Sequence, residues 1–321
     1  MKTKILKILE STNDYVSGEE LSKRLGVSRT AIWKNINSLR DDGCMISSVT
    51  NRGYRLEKIP DLLDGDIISC GLNTSVIGKR IEILKTVDST NEEIKRRAAK
   101  GEPSGLIIAA EEQTKGKGRL GKSWDGHKGG LFFTALIRPE LSPSEISSIT
   151  LAAGYGVCLA IREYTGLDAR IKWPNDIIIG NKKIVGILTE IAAQADMLDY
   201  AAIGIGINVN NRSFPKEIDS KAASLYTELG KEINRNDFFR CVISRLDKVI
   251  SSFIVSMSID DITSFTGLCA TIGRRVSVQR CGRLIEGKAT KIDPLGELII
   301  VDDSGNEHTI NSGEVTVQGI Y

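Results

Sequence analysis

The 321-residue sequence predicts an α+β chain of several domains, and three observations carry that class. Near the start, two short amphipathic helical patterns are separated by one glycine and followed by a short hairpin pattern. Through the middle, β-branched runs alternate with helical stretches, the mark of a mixed sheet with helices packed on it. Toward the end, short alternating strands are punctuated by strong Asp/Gly turns. The 41% hydrophobic and 26% charged content is ordinary for a globular chain. The length allows one large core and one or two small appended modules.

The first module, residues 1–60, ends at Ile59-Pro60 and the acidic stretch that follows. Ser17-Gly18-Glu19-Glu20 has the form of a capping box. Leu21 and Leu25 then recur at i, i+4, and Gly26 stops the helix. Ser28 caps a longer helix reaching Asp42, so the pair reads as a helix-turn-helix. Placing residues 100° apart puts Ile32, Ile36 and Leu39 on one face and Thr30, Trp33, Lys34 and Asn37 on the other. A solvated face is the bland reading of that second stripe. A tryptophan is costly to leave in water without a partner, and Lys with Asn suits phosphates and base edges. With Ser28 and Arg29 at the helix start, and Arg52 and Arg55 on the hairpin wing after it, the module reads as a DNA binder rather than a protein-docking winged helix. Charge agrees: residues 1–58 hold 11 Lys and Arg against 7 Asp and Glu, within an overall net of +2.

In the central module, residues 66–265, strands are expected over 80–84, 105–111, 131–136, 177–179, 184–191 and 200–209. Helices are expected over 91–100, 144–164 and 235–257. Three motifs stand out. Gln113-Thr-Lys-Gly-Lys-Gly-Arg-Leu-Gly-Lys-Ser-Trp124 interleaves glycines with basic residues, offering bare N–H groups and fixed charge to an anion. It matches neither a Walker A loop nor a dinucleotide fingerprint. Alone it could equally be a solvated charged loop. Lys172-Trp-Pro-Asn-Asp176 precedes two β-branched runs around Gly180-Asn181, a hairpin whose rim carries Lys183. Asp88-Ser-Thr-Asn91 sets hydroxyls at the start of a helix.

The third module, residues 268–321, alternates at Arg275-Val-Ser-Val278 and turns at Asp293-Pro-Leu-Gly296 and again near Asp302. Six cysteines without a Cys-x-x-Cys pair, and only two histidines, argue against zinc and against a disulfide framework. The start of the sequence lacks a signal-peptide core, and the longest uncharged stretch, 146–161, falls short of the ~20 residues of a membrane span. A reducing cytoplasm is the expected compartment, with no membrane partner.

Taken with Gly204-Ile-Gly-Ile-Asn208, the three central motifs fall in the order and spacing of a known family. The chain resembles bifunctional biotin–protein ligase and biotin operon repressor proteins over essentially its whole length. That resemblance implies a class II synthetase-like central sheet, shared with lipoate ligases, and an SH3-like C-terminal β-barrel. It implies biotin and ATP as substrates, Mg2+ with the nucleotide, a biotin carboxyl carrier domain as acceptor, operator DNA, and a homodimer when the adenylate is bound. By the same resemblance Ser89, Thr90, Asn91 and Gln113 hold the ureido ring, and Lys183 and Arg119 are catalytic. Gly116, Lys117, Gly118 and Arg119 close over carboxylate and phosphate. Trp124 packs near adenine, Asn208 contacts it, and Asn175 with Asp176 lines the ATP side. No metal ligand is assigned to the chain. Trp173-Pro174 and the glycines at 204 and 206 are expected to support the site rather than touch ligand. Lys117 and Lys122 depart from the family's commoner arginines, keeping charge but losing the planar fork. Two other readings remain: a lipoate–protein ligase, and a non-enzymatic repressor sensing a small anion.

Overall fold

The computed structural model describes every residue except 13, 42, 59–60, 141, 143–145, 195–196, 257–261, 281–282, 294 and 312. The expected module end at Ile59-Pro60, the helix limits at Asp42, Ser144 and Met257, and Pro294 of the late turn lie outside the described residues. The chain divides into two compact units, Met1–Leu62 and Leu63–Tyr321.

In the first unit, α1 (Lys2–Glu10), α2 (Gly18–Leu25) and α3 (Arg29–Asp41) precede a hairpin of β1 (Met45–Val49) and β2 (Gly53–Lys58). Ser17 caps α2 by accepting the Glu20 N–H at 3.0 Å, and Gly26 ends it at φ 65°. Ser28 caps α3 through the Ala31 N–H at 3.2 Å. The expected inner face is the observed one: Ile32, Ile36 and Leu39 are buried with Ile5, Leu9 and Leu21. Each such side chain contributes roughly 1.5–3 kcal/mol by leaving water.

The second unit opens with α4 (Gly65–Ser69), capped by Asp64, which accepts from the Asp66 and Ile67 N–H groups. Then follow β3 (Arg80–Leu84), α5 (Thr90–Ala98), β4 (Leu106–Ala110), β5 (Leu131–Ile137), α6 (Ile146–Thr165), β6 (Ala169–Lys172), β7 (Asp176–Ile179), β8 (Lys182–Gln194) and β9 (Met197–Ile207). Among the described residues these strands form one sheet in the order β3-β4-β5-β9-β8-β7-β6, with β3 and β4 parallel and the other pairs antiparallel. The mixed sheet is as expected; β6 is an addition. Its Ala-Arg-Ile-Lys sequence is too short and charged to read as a strand, yet Ala169 and Ile171 are buried.

Both faces of the sheet are covered. Leu106 and Ile108 of β4 meet Ile94 and Ala98 of α5, whereas Ile107 and Ala109 point into the larger core. That core contains α6 and α9 (Arg235–Ser256), so the uncharged stretch is, over 148–161, a largely buried helix. Between β9 and α9 lie the short α7 (Lys216–Asp219) and α8 (Leu225–Leu229), and α10 (Ile262–Leu268) follows α9. No helix of the described residues is long and apolar enough to cross a membrane.

The last five strands are β10 (Arg275–Arg280), β11 (Arg283–Ile292), β12 (Leu298–Val301), β13 (Glu307–Ile310) and β14 (Val315–Val317). They pair antiparallel in the order β13-β12-β11-β10-β14. Here the barrel expectation is corrected: among the described residues β13 and β14 remain the two edges, so the sheet is open. These edge strands are four and three residues long, and their pairing runs inward, to β12 and β10. Val276, Ala289, Leu298 and Ile310 join the core of the central sheet, and Trp173 Nε1 donates to Gly296 O at 3.0 Å.

Candidate active site

The start of α5 is held by buried polar groups. Thr90 donates both its N–H and its hydroxyl to Gln113 Oε1, at 2.8 and 3.1 Å. Thr134, alone among apolar neighbours on β5, directs its hydroxyl at Thr90 Oγ1 and Asn91 Oδ1, 2.8 and 2.6 Å away. Asn91 Nδ2 donates to Glu190 Oε2 at 2.8 Å, and Lys95 pairs with the other Glu190 oxygen at 2.9 Å. Ser89, Thr90 and Asn91 are all buried, and the Ser89 hydroxyl makes no helix-capping bond. Such a set of fixed amides and hydroxyls suits a neutral polar ring. Thr134 and Glu190 were not legible as members of it.

The Gln113–Trp124 loop folds back on itself. Trp124 N–H donates to Gly116 O at 2.9 Å and Gly118 N–H to Lys122 O at 2.7 Å. Gly116 is there for room, since a Cβ on it would lie 2.6 Å from Trp124 O. The loop's charges point in different directions. Lys117 pairs with Glu92 and Lys122 with Glu314, while Arg119 donates to Asn175 Oδ1 at 2.9 Å and Gly313 O at 3.2 Å. Burial lowers the Arg119 pKa, partly offset by Asp176 and Glu314. The Trp124 indole lies over Gly186 and Gly206, register partners on β8 and β9; a Cβ on either would come within 2.6 Å of the ring. Its Nε1 is buried without a hydrogen-bond partner.

The β7–β8 hairpin supplies the remaining groups. Lys183 Nζ lies 2.6 Å from Asp176 Oδ1 and 5.3 Å from the centre of the Trp124 ring. Asn175 Nδ2 donates to Ile187 O at 2.9 Å, which anchors the residue that holds Arg119. Lys172 is buried beside them, and burial pushes its ammonium down to about 8 against the pull of Asp176.

Ser89, Thr90, Asn91, Gln113, Lys117, Gly118, Arg119, Trp124, Asn175 and Lys183 thus line one narrow cavity of about 50 Å³. Leu188 and the glycines at 186, 204 and 206 complete its wall. A cavity of about 480 Å³ adjoins it across Trp124 and Lys183, and there Asn208 lies, its Nδ2 donating to Ala223 O at 3.0 Å. Asp176 lines a third, with Arg119 and Lys172. Gly116 lines none of the three and acts through loop geometry. Gly186, a break in an apolar strand, was a visible signal for close approach; Thr134 left none.

On the first unit, Ser28, Arg29, Thr30, Trp33 and Lys34 are exposed on α3, Trp33 by 55%, and Asn37 is half-buried. Arg52 and Arg55 stack on Tyr15 and pair with Asp14 and Glu57 at 2.9 and 2.7 Å. Both wing arginines are therefore held by carboxylates that a phosphate would have to displace.

Three family models match the chain: an HTH domain at residues 2–55, the biotin/lipoate A/B protein ligase family at 83–208, and the biotin protein ligase C terminal domain at 271–317. The bifunctional ligase/repressor BirA of Bacillus subtilis is 33% identical, covering 92% of this chain and 92% of its own. The Escherichia coli protein of the same description is 28% identical over 97% of each. Among solved structures, the biotin protein ligase from Aquifex aeolicus in complex with biotin and ATP superposes with a TM-score of 0.65 at 32% identity, covering 75% of this chain and 99% of that one. An N-terminal helix-turn-helix, a biotin ligase central sheet and a C-terminal sheet, matched over nearly the whole length, show that the chain belongs to the bifunctional biotin ligase and repressor family.

Proposed function

We propose that the protein activates biotin with ATP and passes the biotinyl group to a lysine of a biotin carboxyl carrier domain. A biotin carboxylate oxygen attacks the α-phosphorus, the bond to the bridging oxygen breaks, and pyrophosphate leaves. The carrier amine then attacks the acyl carbon of biotinyl-5′-adenylate, AMP departs, and the amine proton passes to solvent. The observation that carries this reading is the meeting, in one cavity, of a buried amide–hydroxyl set with Lys183 and Arg119.

Both reactants of the first step are anions. Two unit charges 4 Å apart interact by about 4 kcal/mol at an effective dielectric near 20, so cations and N–H donors must offset that repulsion. Ser89, Thr90, Asn91 and Gln113 would receive the ureido group, which has two donors and one acceptor. Lys183, held by Asp176, would meet the carboxylate and then the acyl-adenylate oxygens, with Arg119, Lys117 and Gly118 on the phosphate. Trp124 and Asn208 would face adenine, and Asn175 and Asp176 the ATP side. Magnesium would arrive on the ATP phosphates: among the described residues no group of three His, Cys, Asp or Glu side chains could hold a metal, and Asp176 is engaged by Lys183 and Tyr321. The 50 Å³ cavity is far below the ~300 Å³ of small-molecule sites, so the loop must open to admit biotin.

We further propose residues 66–265 as the catalytic domain and 268–321 as an SH3-like module left open at its edges. The helix-turn-helix makes the protein a biotin-responsive repressor, dimeric when the adenylate is bound and acting in the cytoplasm. ATP–pyrophosphate exchange tests the ligase reading. Exchange with biotin supports it; exchange with lipoate alone would transfer the chain to the lipoate ligases. No exchange with either would leave a non-enzymatic sensor.

A further inference from the structure

Tyr321 belongs to none of the sequence elements that mark the site, yet, following β14, it lines the second and third cavities beside it. Its phenol donates to Asp176 Oδ2, and its backbone N–H donates to Asn181 O, on the β7–β8 turn, at 3.2 Å. The Lys172 ammonium lies 3.5 Å from the centre of its ring. The other Asp176 oxygen lies 2.6 Å from Lys183, but it is buried and has no hydrogen bond of good geometry. The phenol is therefore the directional contact that fixes the carboxylate's rotation, and an ion pair alone would leave it free to swing.

We propose that Tyr321 is a positioning residue for adenylate formation, fixing Asp176 and through it Lys183, while its ring shields the Lys172 ammonium on the phosphate side. The proposal rests on the ligase reading above.

The charge around Lys172 makes the two halves of this role separable. Burial, the largest cause, disfavours its charged form together with Lys183 and Lys122, while Asp176 and Glu314 favour it. The tyrosine ring supplies part of that burial. A phenylalanine keeps the ring over Lys172 but releases Asp176. An alanine releases Asp176 and also uncovers Lys172, and water reaching Lys172 raises its pKa. Where a charged Lys172 holds phosphate, turnover falls as pH rises through about 8, and uncovering the lysine moves that fall upward.

The experiment measures biotin-dependent ATP–pyrophosphate exchange by the full chain, its Tyr321→Phe variant and its Tyr321→Ala variant, from neutral to alkaline pH. Phe is expected to lower kcat about tenfold, the worth of one hydrogen bond to a charged group, with wild-type KM for biotin and an unmoved alkaline limb. Ala is expected to lower kcat at least as far and to shift the limb to higher pH. Wild-type kcat and an unmoved limb in both variants overturn the proposal. Should Ala fail to fold, Phe decides alone through kcat. A wild-type protein without biotin-dependent exchange removes the ligase reading and this proposal with it, a result distinct from active wild type with unaffected variants.

Discussion

Asn91 occupies its place because Gly204 has no side chain: a Cβ on Gly204 would lie 2.0 Å from Asn91 Oδ1. The glycine on β9 and the amide at the start of α5 are one device, built from segments far apart in the sequence. Gly204→Ala must push the Asn91 amide off Thr134 and Glu190. It is expected to cost about 1–3 kcal/mol of stability and to weaken biotin binding at least tenfold. Thermal melts and calorimetric titration with biotin read the two effects separately, and unchanged biotin affinity would refute the ureido role given to Asn91.

Lys183→Ala removes the cation proposed to meet the reacting carboxylate. Adenylate formation should slow by about 10²–10³, the scale seen when one charge-stabilising donor is lost. The fold should persist, since Asp176 keeps its bond to Tyr321. Near wild-type exchange rates would remove Lys183 from the mechanism.

The loop from Lys115 to Lys122 is expected to move as ligand enters, because the cavity beneath Trp124 is only about 50 Å³ and the loop's charged side chains are held by partners that a ligand can displace. Amide exchange there should be fast in the free protein and slow with biotin plus ATP. Equal protection in both states would show a preformed site.

Asp88, just before α5, accepts from Ser89 N–H and pairs with Arg96, and these contacts hold its carboxyl well below the usual range, the Arg96 bond most of all. A depressed folded pKa gives stability that is present above the unfolded value of about 3.9 and is lost as pH falls toward the folded one. Asp88→Asn should therefore melt earlier than wild type at neutral pH, with the gap closing in acid. Because the pair is partly solvent-exposed, the gap should be small and shrink with salt. A gap that does not change with pH would point to packing instead.

For the first unit, Lys34→Ala and Trp33→Ala should weaken binding to duplexes that this protein itself selects from random sequence. Lys34→Ala should also make the salt dependence shallower. Arg52→Ala should do so less, because Asp14 already neutralises Arg52 in the free protein. Half-sites should be paired by symmetry if two chains bind together. Biotin with ATP should tighten binding at fixed salt, and by linkage that DNA should tighten adenylate binding by the same factor. Equal affinities with and without biotin and ATP would sink the repressor half of the reading.

What the sequence determined by itself was local and periodic. The caps at Ser17 and Ser28, the stop at Gly26, the inner face of Ile32, Ile36 and Leu39, and the hairpin around Gly180-Asn181 all rest on neighbours within a few residues. Rules of spacing reach that far. The site motifs were legible only together: the glycine–lysine loop alone could be a solvated loop, and it was the order and spacing of the motifs along the chain that singled them out. Tertiary structure alone decided which distant groups meet. Thr134 turns toward Thr90 and Asn91 only because β5 lies in the sheet beneath α5, and Gly186 matters only because register pairs it with Gly206 under Trp124. Charges were least legible of all. A lysine or arginine in the sequence carries no partner, and folding gave Lys117 to Glu92, Lys122 to Glu314, and Arg52 to Asp14. Whether the last strands close into a barrel was also beyond the sequence. Closure depends on β13 and β14 reaching each other across three intervening strands, and strand alternation carries no record of that distance.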